Sequence, residues 1–213
     1  MIKAVVFDLD DTLIPETEYV KSGFRAIGKA FGDSEIADRL FQLFKDDKRS
    51  VYQRAGFSEE KCNECIKIYR SHMPDIILPA EISELLKEIK AMGIKTGIIT
   101  DGRPEGQWNK IFALGLDKII DKIIVTDELG GEEFRKPHPK AFELMQNALG
   151  VEFNEMMYVG DNPAKDFYIG SIYPIVTIRL LTNGVQSDNL YFKNIKEDKQ
   201  ITSLNEIFKC MEE

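Results

Sequence analysis

Residues 2–14 read I-K-A-V-V-F-D-L-D-D-T-L-I, a strand-like segment from Ile2 to Phe7, apolar without interruption from Ala4, that is closed by Asp8, Asp10 and Asp11. The run is short, rich in β-branched side chains and without polar alternation, the pattern of a strand buried on both faces. On an extended chain residues i and i+2 share a face, so Asp8 and Asp10 are directed to one place and Asp11 to another.

Downstream of residue 78 the pattern alternates. A stripe of Ile82, Leu85, Leu86, Ile89 and Met92 predicts a helix stopped at Gly93, and a strand follows at Ile94–Thr100. A helix at Pro104–Leu114, a strand at Lys122–Thr126, a helix at Pro137–Leu149 and a strand at Met156–Val159 continue the rhythm. A short helix near Pro163–Gly170, a strand at Tyr173–Ile178, a loop over Thr182–Gln200 and a helix at Ser203–Met211 complete it. This βα alternation predicts an α/β fold built on a Rossmann-like parallel sheet. Residues 15–78 interrupt it with helical spacing of apolar and aromatic residues: Phe24, Ile27, Phe31; Leu40, Leu43, Phe44; Cys65, Ile66, Tyr69. The expected organisation is a core of residues 1–14 and 79–213 with an all-helical insertion at 15–78.

The 213 residues are 43% hydrophobic and 30% charged, which excludes a disordered chain. The apolar runs fall far short of the roughly 20 residues that span a bilayer, so no membrane partner is expected. Lys+Arg 28 against Asp+Glu 36 gives a net charge of -8, which argues against nucleic acid. Residues 15–78 hold 11 basic and 11 acidic side chains, so the acid excess lies in the core. Cys62, Cys65 and Cys210 are too few for a disulfide scaffold and suit a reducing compartment. Cys62 and Cys65 share a helix face, but with no second pair they read as buried residues rather than a zinc site. Met1 leads straight into the first strand without a basic start, and the expected location is the cytoplasm, as a monomer or weak homodimer.

In open α/β sheets ligands sit beyond the carboxyl ends of the strands. There the first strand delivers Asp8 and Asp10, and the second Thr100 with Asp101 and Gly102. The third leads through Gly130-Gly131 to Lys136, and the fourth delivers Asp161, with Asp166 shortly after. Asp8, Asp10, Asp161 and Asp166 against Lys136 leave three negative charges, which calls for a cation. The donors are all oxygens and neither His72 nor His138 shares a spacing with them, so the expected ion is Mg2+. Asp166 serves either as a metal ligand or as an orienting residue, while Asp101 and Asp127 also suit strand-end caps. Arg135 and Lys140 compete with Lys136 for the cationic place, and His138, between two prolines, reads as packing or capping.

D-L-D-D-T-L at Asp8–Leu13, I-I-T-D-G around Thr100, R-K-P-H-P around Lys136 and V-G-D-N-P-A-K-D at Val159–Asp166 resemble, in order, the four motifs of haloacid dehalogenase-like hydrolases. The resemblance implies that Asp8 attacks phosphorus, that Asp10 acts as acid and then base, and that Thr100 and Lys136 hold the phosphoryl group. Asp101 and Gly102 complete the phosphate-binding loop, Gly102 through its backbone N–H. Asp161, Asp8 and Asp10, the last through its carbonyl, would hold Mg2+, with Asp166 beside them. Asp10 disfavours dehalogenation, because halide needs no protonation. The insertion resembles a helical cap, and Lys21, Arg25, Arg49 and Arg54 are its candidate substrate contacts. The expected activity is hydrolysis of a small soluble phosphate ester, a sugar phosphate or nucleotide monophosphate, through an aspartyl phosphate. The alternatives are a phosphomutase and a phosphoaspartate signalling switch; the order of the motifs argues against the switch.

Overall fold

The computed structural model describes residues 1–181 and 190–212. Strand β1 (Ala4–Phe7) is buried throughout and lies at the centre of the sheet. It pairs in parallel with β2 (Lys95–Thr100) on one side and β4 (Met156–Gly160) on the other. Outside these run β3 (Lys122–Val125), β5 (Val176–Leu180) and β6 (Lys199–Ile201), giving the parallel order β3-β2-β1-β4-β5-β6.

The period-2 geometry of the strands divides their apolar residues between two cores. Val5, Phe7, Ile98 and Val159 pack with Leu85 and Ile89 of α5 (Ala80–Ala91), Ile111 of α6 (Pro104–Ala113) and Ile207 of α8 (Ile207–Glu212). Ala4, Val6, Ile99 and Tyr158 face the opposite way, onto Ala141, Phe142 and Met145 of α7 (Lys140–Leu149). A Cβ on Gly97 would lie 2.7 Å from the Met145 sulfur, so α7 seats against β2 because that residue has no side chain.

Between β1 and α5 lie α1 (Glu16–Phe31), α2 (Ser34–Asp46), α3 (Val51–Arg54) and α4 (Glu59–Ser71). These helices share a separate core of Val20, Phe24, Ile27, Leu40, Val51 and Cys65. Asp33 and Ser58 cap α2 and α4 with side-chain oxygens that accept backbone N–H groups. Cys62 and Cys65 are buried and free, and burial with the neighbouring Cys62 pushes the Cys65 thiol up to about 11. No described helix is long and apolar enough to cross a membrane.

Several elements differ from the sequence expectation. Of the loop expected over Thr182–Gln200, residues 182–189 lie outside the described residues. Its end belongs to β6, where only Ile201 is buried, so three residues of a sheet edge carry no apolar pattern to read. Strand β5 starts later than expected because the Ile175 N–H closes a turn onto the Tyr173 carbonyl. Helix α7 begins at Lys140 rather than Pro137, since the His138 N–H first closes a turn onto the Arg135 carbonyl. The helix expected over Pro163–Gly170 is a turn followed by a 3-10 segment at Tyr168–Ser171. There Asn162 accepts the Ala164 N–H on its side chain and donates its own N–H to Asp166, and these local bonds replace a helical ladder. The last helix opens as a 3-10 turn at Leu204–Glu206 before α8.

Candidate active site

The chain passes from β1 to β2 on one side and returns to β4 on the other, so a crevice opens beyond the carboxyl ends of β1 and β4. Asp8 stands at this point, 1% exposed, with its N–H donating to the Val159 carbonyl at 2.9 Å. Immediately after it the chain folds over: Leu13 and Ile14 both donate their N–H groups to the Leu9 carbonyl. Asp11 takes a left-handed conformation (φ 56°), and its carboxylate accepts the Glu16 N–H at the start of α1. This turn beyond the end of β1 at Phe7, and not strand geometry, directs Asp11 to the start of α1 and away from Asp8.

Lys136 brings the separate loops together. Its ammonium lies 2.8 Å from Asp8 Oδ1 and 2.8 Å from Asp166 Oδ1, and donates to the Tyr158 hydroxyl at 2.7 Å. Tyr158 in turn donates to Asp166 Oδ1 at 3.0 Å. Burial opposes the lysine's charge, but Asp166 and Asp8 outweigh it and raise its pKa. Burial likewise opposes ionisation of Asp8, and there Lys136 and Lys165 prevail, so the carboxyl is held below its ordinary value. Asp8 is thus a carboxylate in a dry place, as a nucleophile requires.

One oxygen each from Asp8, Asp161 and Asp166 can be chosen so that all lie within 4.8 Å of one another. Asp161 Oδ2 is buried without a hydrogen-bond partner among the described residues. Burial, together with Asp8 and Asp166, pushes the Asp161 carboxyl up to about 8. An orphaned oxygen beside two further carboxylates is the environment a hard divalent cation relieves, so the donor set fits Mg2+. Asp166 is already engaged: Oδ1 meets Lys136 and Tyr158, and Oδ2 accepts the Asn162 N–H. A Cβ on Gly160 would stand 2.5 Å from Asp166 Oδ2, so this glycine makes room for that carboxylate.

The Asp10 carboxylate is absent from this cluster. Lys110 of α6 approaches both its oxygens at 2.7 Å, and Gln107 donates to Oδ2 at 3.2 Å. The Lys110 ammonium also lies 4.4 Å from the centre of the Tyr19 ring on α1. Thr100 is 1% exposed, and its hydroxyl has no hydrogen-bond partner among the described residues. Asp101 is committed elsewhere: Oδ1 accepts from the Lys136 N–H and the Thr126 hydroxyl, both at 3.0 Å, and Oδ2 lies 3.2 Å from Lys165. Gly102 (φ 133°) contributes its backbone to Asp127, whose carboxyl is held down chiefly by Arg135. A Cβ there would lie 2.8 Å from Gln107 Nε2.

The competing cations are occupied. Arg135 grips Asp127 through two 2.7 Å bonds, Lys140 pairs with Glu143, and His138 accepts the Lys140 N–H. Lys21 pairs with Glu18, Arg25 and Arg49 with Asp75 and Asp47, and Arg54 donates to carbonyls of the α2–α3 segment. Four site residues went unread in the sequence: Tyr158, Lys165, Gln107 and Lys110. Tyr158 carried a signal, because a tyrosine inside a buried strand needs a partner for its hydroxyl. Gln107 and Lys110 stand three apart on one face of α6, next to the apolar Ile111. Lys165, 3.6 Å from Asp8 Oδ2, carried none beyond its place beside Asp166.

Comparison with known proteins places these residues in a wider group. The profile of the haloacid dehalogenase-like hydrolases matches residues 5–172. The glyceraldehyde 3-phosphate phosphatase of Pyrococcus furiosus is 33% identical, over 99% of this chain and 93% of that protein. The enzyme of the same name from Methanocaldococcus jannaschii is 29% identical, over 97% and 96%. The pyrophosphatase PpaX of Halalkalibacterium halodurans is 28% identical, over 76% and 75%. Among solved structures, the HAD-hydrolase YfnB of Bacillus subtilis, solved bound to magnesium, shares the fold with a TM-score of 0.71 at 15% identity, covering 99% of this chain and 98% of that one.

Proposed function

The chain belongs to the haloacid dehalogenase-like hydrolase family, and from that premise we propose that it is a Mg2+-dependent phosphatase of small phosphate esters, working through an aspartyl phosphate on Asp8. The observation that carries this reading is the Lys136 ammonium 2.8 Å from an ionised, buried Asp8, with the unpartnered Thr100 hydroxyl among the same strand ends.

In the first step Asp8 forms a bond to phosphorus as the ester P–O bond breaks. Lys136 offsets the charge shared between Asp8 and the transferring group. The Thr100 hydroxyl donates to a phosphoryl oxygen. Asp10, oriented by Lys110 and Gln107, gives a proton to the leaving oxygen. In the second step it takes a proton from water, which attacks phosphorus and releases Asp8. Asp8, Asp161 and the Asp10 carbonyl would hold Mg2+. When bound, the ion supplies positive charge that draws the phosphoryl oxygens toward the nucleophile. Asp166 positions Lys136, since both its oxygens are already taken. Asp101 braces the Lys136 backbone and leaves phosphate contact to its own backbone, because a carboxylate repels an anion. The helices of residues 15–78 form a cap, and the leaving group lies between them and α6, beside Asp10.

The test is phosphate release from acetyl phosphate and a panel of small esters with Mg2+, together with hydroxylamine trapping of the phosphoenzyme. Turnover is expected with a phosphoryl adduct on the Asp8 peptide, and Asp8→Asn should lower it by at least about three orders of magnitude, ~4 kcal/mol. An Asp8→Asn variant retaining a tenth of the activity sinks the assignment.

A further inference from the structure

Between the helical insertion and α6 lies a cavity of about 430 Å³. Tyr19, Tyr52 and Tyr69 line it from the insertion, and Gln107 and Lys110, the two residues that hold the Asp10 carboxylate, line it from α6. The cavity therefore adjoins the group that protonates the leaving oxygen, and what fills it is the alcohol side of the ester. A three-carbon alcohol fills only part of this cavity.

Besides Lys110, which is held by Asp10, two further cations stand in the same lining, Arg70 of α4 and Arg103 at the start of α6. Both are exposed, and neither guanidinium makes a hydrogen bond or ion pair with any described residue. They differ in this from Lys21, Arg25, Arg49 and Arg54, whose heads have partners within residues 15–78. A guanidinium presents a fork of donors matched to a carboxylate or phosphate. Glu105 is the acid in the lining, exposed like the arginines, and can accept from a hydroxyl.

Resting on the phosphatase reading, we propose that the substrate is a phosphate monoester whose leaving group carries both a ring and a second anionic group. The ring lies against Tyr19, Tyr52 and Tyr69, and the anion is held by Arg70 and Arg103. Tyrosine faces accept a sugar or an aryl ring, so the requirement is for a ring and a remote negative charge, not for one skeleton.

The test compares kcat/KM for four probes with Mg2+: acetyl phosphate, glyceraldehyde 3-phosphate, phenyl phosphate and 4-carboxyphenyl phosphate. The carboxylated aryl ester should exceed both phenyl phosphate and glyceraldehyde 3-phosphate by at least about tenfold. In the double variant R70M/R103M the preference for 4-carboxyphenyl over phenyl phosphate should fall at least about tenfold, while R70K/R103K keeps part of it. If acetyl phosphate is hydrolysed but the carboxylate brings no advantage, or if the advantage survives in R70M/R103M, the inference is overturned and the phosphatase reading stands. If none of the four is hydrolysed, both fall.

Discussion

Replacing Asp161 by asparagine should make the metal-free protein more stable at alkaline pH, although it removes a proposed metal ligand. The Asp161 carboxyl is 4% exposed and faces Asp8 and Asp166, and burial with these neighbours raises its pKa from 3.8 to about 8. The folded chain therefore holds a proton that the unfolded chain gives up near pH 4. This stability is fully present at low pH and is lost as pH rises toward 8. At about 1.4 kcal/mol per pH unit, the group removes up to about 4 kcal/mol between pH 5 and pH 8. For a chain of this size that is a fall in Tm of roughly 8–15 °C. Asparagine carries no such proton, so in chelator the difference in Tm between pH 5 and pH 8 should shrink by that amount in Asp161→Asn. Taking the difference between the two proteins cancels the titration of groups they share. Adding Mg2+ at pH 8 should raise the Tm of the wild type and do little for the variant, since a ligand stabilises only the fold that binds it. Parallel pH dependences of the two proteins in chelator, followed by calorimetry, would refute the argument.

Other perturbations test the network around Lys136 and Asp10. Tyr158→Phe removes one buried hydroxyl from an ion pair that persists without it, at about 1–2 kcal/mol, whereas Lys136→Met strands two buried carboxylates at about 3–5 kcal/mol. Urea unfolding in chelator measures both, and equal losses would contradict the division. Gly160→Ala places a methyl 2.5 Å from Oδ2 of Asp166, a carboxylate held by the Asn162 N–H on that oxygen and by Lys136 and Tyr158 on the other. A cost of about 1–3 kcal/mol in stability and at least a tenfold fall in kcat are expected, and wild-type kcat would show that Asp166 does not position Lys136. Lys110→Met frees Asp10 from its two 2.7 Å contacts. Burst kinetics of phosphoenzyme formation should then slow by roughly tenfold for an alkyl ester and less for an activated aryl ester, and equal slowing would separate Lys110 from the acid role.

The sheet was legible in the sequence because burial on both faces writes itself into composition: A-V-V-F between polar neighbours admits few other readings. The alternation of β- and α-periodic segments announced parallel pairing, whereas strand parity does not reach past Phe7: a left-handed turn sets Asp11, and the Asp10 carboxylate goes to Lys110 instead of joining Asp8. The four acidic and basic motifs were readable because each follows a strand that ends at the same edge. Edge strand β6 was not readable, since an edge buries little and three residues leave no period. Nor were the partners of each charge, because a side chain's role depends on what another segment places within 3 Å of it. Lys110 meets Asp10 across a hundred positions of sequence, and Tyr158 meets Lys136 across twenty-two. The cationic side chains of residues 15–78 show the same limit: Lys21, Arg25, Arg49 and Arg54 look no different in sequence from Arg70. Only the packing of α4 against α6 leaves the Arg70 head unpaired beside a cavity, while Lys21, Arg49 and Arg54 are spent on neighbouring residues and Arg25 on Asp75 fifty positions away. Local pattern records what is buried, whereas the meeting of charges from distant segments is decided when those segments pack.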